Sequence, residues 1–174
     1  MKTDATLTVN GTDYPIEIDP HLSLLKAVRD EIGLTGSKEG CDDSECGACM
    51  MLLDGRPVNA CSYLAMQAVG KQVMTVEGLA GGEQVGALQA EFLQQGGVQC
   101  GFCTPGMLVS ATALLRRNPT PTEDEVRLAL AGNLCRCTGY GGIVKAVMET
   151  AAGHVPRLPS PPAHEVRPAP HHAG

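Results

Sequence analysis

The chain has 174 residues, a formal net charge of −6 and 43% hydrophobic residues. Its length suits one domain or two small ones. The net negative charge argues against a nucleic-acid-binding protein, which would present a basic face. The sequence contains no apolar run of about 18 residues, the length that would predict a membrane span.

Composition also indicates which side chains build the core and in which cellular compartment the protein is expected. Three Tyr, two Phe and no Trp leave a core built mainly of aliphatic side chains, so metal sites could help to stabilise two small domains. The first residues lack the apolar stretch of a signal peptide. We therefore expect a cytoplasmic, reducing location, in which four disulfides among the eight cysteines are disfavoured.

The first predicted elements are a β-hairpin and a helix. Alternating apolar residues over 5–18 flank Asn10-Gly11, which is a strong two-residue hairpin turn. Apolar residues then recur at helical spacing over 23–32, and Gly33 ends that pattern.

A cysteine-bearing loop and further strands follow the helix. Residues 36–49 form a loop rich in glycine and acid. Apolar segments at 50–53 and 57–60 surround the turn Asp54-Gly55, and 73–76 predict a last strand. Together these elements predict a small β-grasp sheet with one helix packed across it.

The pattern changes from strands to helices after residue 78. Glycines at 78, 81 and 82 indicate a linker, and Pro105 stands where a helix would begin. Thr122 and Glu125 predict a capping box. Four helices are predicted, near 85–95, 105–117, 123–132 and 143–152.

The fold class is therefore α+β, with two domains and a tail. Residues 1–78 form the predicted β-grasp domain, 79–153 an all-α four-helix domain, and 154–174 an extended or disordered tail. The tail is rich in proline and shows no periodicity. Its histidines are interpreted as loose surface residues, with a metal-binding tract as the alternative; they are His164, His171 and His172.

A first set of four cysteines has the C-x4-C-x2-C…C spacing of plant-type [2Fe–2S] proteins. Its members are Cys41, Cys46, Cys49 and Cys61. Gly40 and Gly47 would let the loop turn sharply around a cluster. A zinc site also uses four cysteines, but such sites more often show two C-x2-C pairs, so the spacing favours [2Fe–2S].

The other four cysteines form a C-x2-C pair and a C-x-C pair. They are Cys100, Cys103, Cys135 and Cys137. Each pair precedes a predicted helix, so N–H groups and positive dipole ends could face an anionic cluster. A redox dithiol is the rival interpretation of Cys100 and Cys103, but it usually accompanies a βαβ pattern. Because no cysteine is left over, the chain is most simply an electron carrier.

Both cysteine sets stand in longer motifs that resemble a known family. The chain is similar to the small iron–sulfur subunit of the molybdenum hydroxylase family, related to xanthine dehydrogenase and aldehyde oxidoreductase. The resemblance covers about residues 5–152. The matching segments are Gly40 to Cys49, Cys61, Gln99 to Gly106, and Gly132 to Tyr140. Met50-Met51 departs from the usual pattern, and we expect changed packing there with no change of ligand set.

The resemblance implies the fold, the cofactors and two further contacts. It implies a plant-type ferredoxin-like [2Fe–2S] domain followed by a four-helix [2Fe–2S] domain. The second cluster would lie nearer the molybdopterin cofactor, and the first would lie toward FAD, with both of these cofactors on partner subunits. Gln99 matches a position that contacts the pterin, and Cys137 matches a cluster ligand that also approaches it.

The implied function is electron transfer within an oxidoreductase complex. The partners would be a large molybdopterin-binding subunit and a medium FAD-binding subunit, and electrons would pass from molybdenum through both clusters to FAD or another acceptor. No residue of this chain is expected to be catalytic. A free-standing two-cluster electron carrier or a redox sensor is the alternative.

Overall fold

The computed structural model describes residues 2–81 and 83–153, so the predicted tail lies outside the described residues. The strands are β1 Thr3–Val9, β2 Thr12–Ile18, β3 Met50–Leu53, β4 Arg56–Asn59 and β5 Gln72–Met74. They form one sheet in the order β2-β1-β5-β3-β4. β1 pairs in parallel with β5, and the other neighbours are antiparallel. The predicted hairpins and the small sheet are confirmed.

The first hairpin turns at the predicted dipeptide. Asn10 has φ 54° and Gly11 has φ 79°, the two positive φ angles that a type I′ turn requires. The Asn10 side chain also accepts a hydrogen bond from the Thr75 amide and donates one to the Thr75 hydroxyl, both at 2.9 Å. The turn is thereby tied to the chain that leaves β5.

The predicted helix after β2 changes its geometry part-way. It begins as α1, Leu24–Lys26, which is capped by Ser23, and continues as a π-helical turn over Ala27–Glu31. The Ile32 amide donates to the Ala27 carbonyl at 3.1 Å, which is the i→i−5 bond of that turn. Its apolar face is fully buried in the same core as inward-facing residues of the sheet.

The described part of the predicted glycine linker, which ends at Gly81, has regular structure. Val76–Gly81 forms a 3₁₀-helix. The Glu77 carboxylate accepts from the Gly36 amide at 2.7 Å and from the Thr75 hydroxyl. Gly78 lies directly beside the Asn10 side chain, where a Cβ would collide. Local propensity does not predict side-chain contacts between residues far apart in the sequence. The glycine content alone therefore suggested a linker without regular structure.

Four helices complete the described chain, as predicted. They are α2 Glu83–Gln94, α3 Thr104–Arg117, α4 Glu123–Leu130 and α5 Gly141–Ala151. The capping box at α4 is present, because the Glu125 amide donates to Thr122 Oγ1 at 3.3 Å and the Thr122 amide donates to Glu125 Oε2 at 2.7 Å. Within the described ranges, no helix is long and apolar enough to cross a membrane.

β3 is shared by the two hydrophobic cores. Met51 and Leu53 pack in the core formed with α1, whereas Met50 and Leu52 pack in the core formed by the helices. The strand is therefore apolar on both faces, which explains the Met50-Met51 departure as a packing feature. Leu79 is also buried in the helical core. The division at residues 78 and 79 stays a prediction.

A buried polar contact joins the two halves. The Asn133 side chain donates to the Gly47 carbonyl at 3.0 Å and accepts from the Ser110 hydroxyl at 2.7 Å. Asn133 is 2% exposed. Gly47 has φ 67°, and a Cβ there would collide with the Gly132 carbonyl. The close approach of the two halves therefore requires both the asparagine and the glycine.

We expect Asn133→Ala to lower the free energy of unfolding by about 2–4 kcal/mol, because two buried partners would lose their hydrogen bonds. Denaturant unfolding of the iron-loaded chain measures this change. Asn118→Ala is the control, since the hydrogen bonds of the Asn118 side chain are exposed and their loss should cost under about 1 kcal/mol. Equal losses in the two variants would contradict a special role for Asn133.

Candidate iron–sulfur sites

The first cysteine set gathers where the loop after α1 meets β3 and the end of β4. Cys41 and Cys46 lie in that loop and are half-buried, Cys49 immediately precedes β3, and Cys61 follows β4 by two residues. Cys49 and Cys61 are buried. A long loop therefore supplies three of the predicted ligands, and the segment after β4 supplies the fourth.

Within this set the thiols come together in pairs. The Cys46 amide donates to Cys41 Sγ at 3.3 Å, and the Cys49 and Cys61 thiols lie within hydrogen-bonding reach of each other. Burial raises the pKa of the Cys49 thiol to about 12. Burial also disfavours the Cys61 thiolate, but hydrogen bonds from Ser62, Cys49 and Ser44 outweigh it and lower the pKa of Cys61.

The loop follows its curved path through unusual backbone angles. Asp42, Ser44 and Gly47 have φ angles of 59°, 68° and 67°, in the left-handed region that side chains disfavour. The Asn59 side-chain amide donates to the Ser44 carbonyl at 2.9 Å. That bond holds the loop against the strand that leads to Cys61.

The second cysteine set lies at the start of α3 and in the turn before α5. Cys103 is buried and is the N-cap residue of α3, whereas Cys100 is exposed. The Sγ atoms of Cys100 and the exposed Cys137 are 3.6 Å apart. Two thiolates on one tetrahedral metal, each about 2.3 Å from it, would stand about 3.8 Å apart. This pair therefore has the separation that one metal ion needs.

Cys135 is surrounded by hydrogen-bond donors. The Thr138 hydroxyl lies 3.1 Å from Cys135 Sγ and the Thr138 amide donates to it at 3.5 Å. Burial opposes ionisation of Cys135, but these bonds outweigh it and lower its pKa to about 7. Burial raises the pKa of its neighbour Cys103 to about 12. The Tyr140 hydroxyl accepts from the Cys135 amide at 2.8 Å and so fixes this turn.

The C-x2-C and C-x-C motifs of the second set differ in how close they lie to a helix N-terminus. Cys103 occupies the N-cap position of α3 without a side-chain cap bond. Cys100 and Cys103 therefore precede this helix, as predicted, and border its free amide groups. Cys135 and Cys137 are separated from α5 by a turn that ends at Tyr140, whose φ is 67°. The predicted pooling of two helix N-termini therefore holds more closely for α3 than for α5.

The donor sets fit a binuclear cluster. In the described part of the chain, no three His, Cys, Asp or Glu side chains are grouped closely enough to hold a single metal ion. The thiols instead meet two by two, and a [2Fe–2S] cluster with four thiolates takes two at each iron. The pairs are Cys41 with Cys46, Cys49 with Cys61, Cys100 with Cys137, and Cys103 with Cys135.

An exposed surface surrounds the second set. Gln99 and Arg136 are exposed beside the ligands. Phe102 is 48% exposed and Leu134 is 57% exposed. Gln99 therefore stands next to Cys100 on an accessible surface, together with two apolar side chains that face solvent.

Several residues that order the sites were not assigned roles from the sequence. They are the polar neighbours Ser44, Asn59, Ser62, Asn133, Thr138 and Tyr140. All six stand within three positions of a cysteine in the sequence, which is a usable signal. Their partners could not be assigned, because each bond depends on how the loops fold against one another.

Both halves of the chain match known sequence families. Residues 7–75 match the family described as "2Fe-2S iron-sulfur cluster binding domain" and residues 75–148 match "[2Fe-2S] binding domain". The "Nicotinate dehydrogenase small FeS subunit" of Eubacterium barkeri is 47% identical over 84% of this chain and 93% of its own length. The chain belongs to the small [2Fe–2S] subunits of the molybdenum hydroxylase family.

Solved structures of this family show the same fold. Quinoline 2-oxidoreductase from Pseudomonas putida 86 aligns with a TM-score of 0.83 and 44% identity, over 87% of this chain and 94% of that chain. Aldehyde oxidoreductase from Desulfovibrio gigas aligns with a TM-score of 0.79 and 41% identity, over 86% of this chain but 17% of that longer chain. An α+β iron–sulfur subunit of an oxidoreductase is therefore established.

In the cluster-free chain we expect iodoacetamide to modify Cys135 before Cys103 and Cys49 at pH 7. The thiolate is the reacting form, and the pKa is about 7 for Cys135 but about 12 for Cys103 and Cys49. Below pH 7 the rate at Cys135 should fall about tenfold per pH unit as the thiol becomes protonated.

Peptide mapping by mass spectrometry gives the order of modification. The denatured chain is the control, since its thiols should react at similar rates. Modification of Cys103 or Cys49 as fast as Cys135 in the folded chain would contradict the prediction.

Proposed function

We propose that this chain is the electron-transfer subunit of a molybdenum-dependent hydroxylase or dehydrogenase and carries two [2Fe–2S] clusters. Each cluster, when bound, would accept and donate one electron. The first would be held by Cys41, Cys46, Cys49 and Cys61, and the second by Cys100, Cys103, Cys135 and Cys137. The pairing of thiols and the two family matches support this proposal.

The observation that carries the proposal is a direct link between the two cysteine sets. The Leu134 amide donates a hydrogen bond to the Cys46 carbonyl at 2.9 Å. Leu134 immediately precedes Cys135, so one hydrogen bond and two short covalent segments join a ligand of the first set to a ligand of the second. Asn133 holds this contact in place by its own bond to Gly47. Such a link provides a short route for electrons.

The exposed surface beside the second set supports a large partner that bears molybdopterin. Cys137 and Gln99 are both exposed, and the family resemblance implies that both would approach the pterin of the partner. Phe102 and Leu134 provide apolar area for the contact. In the Desulfovibrio gigas protein the similar segment is 17% of a much longer chain, which is consistent with a partner far larger than this subunit.

The first set would pass electrons onward. By resemblance its acceptor is FAD on a medium subunit, or another electron acceptor. The chain's own residues hold, insulate and tune the clusters, and none is proposed to act on the substrate. Oxidation of a substrate at molybdenum releases two electrons, and two one-electron centres can transfer them singly.

Single ligand substitutions in the isolated chain test the assignment of two clusters. We expect Cys61→Ala to remove one of two EPR signals of the dithionite-reduced chain, and Cys103→Ala to remove the other. Each variant should keep about half of the roughly four irons of the unaltered chain. Zinc in place of iron, or one signal lost in both variants, would contradict the proposal.

Substitution of the exposed apolar pair tests the partner surface. We expect Phe102→Ser together with Leu134→Ser to weaken co-purification with the larger molybdenum-bearing chain by about tenfold or more, because buried apolar anchors dominate interface affinity. Leu128→Ser is the matched control, since Leu128 is 77% exposed on α4. An unaltered chain that purifies alone with both clusters intact would favour the free electron carrier or redox sensor.

A further inference from the structure

Two serine hydroxyls lie in a row beside the fourth cysteine of the first set. The Ser62 hydroxyl oxygen is 3.6 Å from Cys61 Sγ. The Ser44 hydroxyl in turn contacts the Ser62 hydroxyl. Ser44 lies in the cysteine loop and Ser62 lies in the segment after β4. The contact therefore joins the loop to the segment that contains Cys61.

The chemistry of a metal-bound thiolate sets the direction of these bonds. A thiolate can only accept, so the Ser62 hydroxyl donates its one proton to Cys61 Sγ. The Ser62 oxygen is then free to accept, and the Ser44 hydroxyl donates to it. Aligned hydroxyls polarise each other, so the second bond strengthens the first.

The backbone at Ser44 indicates that its side chain is needed. Ser44 has φ 68°, a conformation that costs a residue with a Cβ but costs glycine nothing. The same loop uses glycine at Gly47, which also has a positive φ. The Asn59 side-chain amide holds the Ser44 carbonyl at 2.9 Å and so keeps the strained residue in place. A strained residue that is firmly braced suggests a functional role for its side chain.

Reduction of the cluster changes the charge that the hydroxyls face. Two ferric ions, two sulfides and four thiolates carry a formal charge of −2, and one added electron makes it −3. A donor aimed at a ligand sulfur therefore stabilises the reduced cluster more than the oxidised one. The nearby acids oppose this effect: Asp42, Asp43 and Glu45 are exposed on the same loop, and Lys26 approaches Asp42 at 3.8 Å.

We propose that Ser44 and Ser62 form a hydroxyl pair that raises the reduction potential of the first cluster and so favours electron arrival from the second. One electron is added to the cluster and no covalent bond forms or breaks. Both hydroxyl protons stay on their oxygens, and Cys61 stays a thiolate. The inference rests on the proposed function, since it requires a cluster at the first cysteine set.

Potentiometric titration of the full chain with both clusters loaded tests the proposal. The first-cluster EPR signal is identified as the one lost in Cys61→Ala. We expect Ser62→Ala to reduce the ratio of reduced to oxidised first cluster at fixed potential by about tenfold, equivalent to about 59 mV for one electron. Ser44→Gly should lower that ratio about threefold, because it removes the Ser44 hydroxyl but leaves the Ser62 hydroxyl and the Ser44 amide as donors to Cys61.

Ser44→Gly separates tuning from folding. Glycine relieves the backbone cost at a positive φ, so this variant should unfold no more readily than the unaltered chain while its potential falls. Ser62→Thr keeps a hydroxyl and should restore most of the potential. Thr8→Ala is the matched control, because its hydroxyl bonds Asp13 on the first hairpin. The second-cluster signal serves as an internal reference and should not move.

Unchanged first-cluster potentials in Ser62→Ala and Ser44→Gly would overturn the hydroxyl pair while leaving the proposed function intact. Absence of a first-cluster signal in the unaltered chain would instead overturn the proposed function. If Ser62→Ala loses its iron, the first-cluster reduction potential of Ser44→Gly alone decides whether the proposal holds. Loss of iron from Ser44→Gly would assign the hydroxyl to cluster retention and would also overturn the proposal.

Discussion

The contact between the two cysteine loops is the constraint on which the rest of the structure depends. Gly47 and Asn133 bring backbone against backbone, and the Leu134 amide then reaches the Cys46 carbonyl at 2.9 Å. The two cysteine sets are thereby held in one fixed relation. Because a buried amide costs free energy when it lacks partners, Asn133 satisfies this contact in one arrangement and disfavours others.

Hydrophobic packing around β3 also stabilises the contact between the two cysteine loops. β3 is buried on both faces and belongs to two cores, one with α1 and one with the four helices. The sheet and the helices therefore cannot move independently without exposing apolar area to water. The ordered segment Val76–Gly81, held by Glu77 and beside Asn10, adds a second connection between them.

Electrostatics in each site follows from how the thiols are surrounded. Burial makes Cys49 and Cys103 poor acids, with pKa values of about 12, so their thiolates require the positive charge of bound iron. Cys135 and Cys61 have hydrogen-bond donors from Thr138 and from the two serines. Each set thus combines a thiol whose pKa is raised by burial with one whose pKa is lowered by hydrogen bonds. Those donors are polar contacts through which a reduction potential can be adjusted.

Sequence patterns were sufficient for the elements and for the cysteine sets. Alternation and the Asn10-Gly11 turn predicted the first hairpin, and Thr122 with Glu125 predicted the start of α4, because these signals are local. Cysteine spacing likewise indicated two sets of four, and the longer motifs around them indicated the family.

Only the tertiary structure decided which thiols pair, where the two sets meet and which polar groups serve them. Asn133 lies 86 positions from Gly47, and Ser44 lies 18 positions from Ser62. No periodicity links residues so far apart, since their contact depends on the packing of loops against β3 and α3. The chain's local sequence therefore determined its elements and its metal-binding residue types, whereas long-range packing decided the geometry through which electrons would pass.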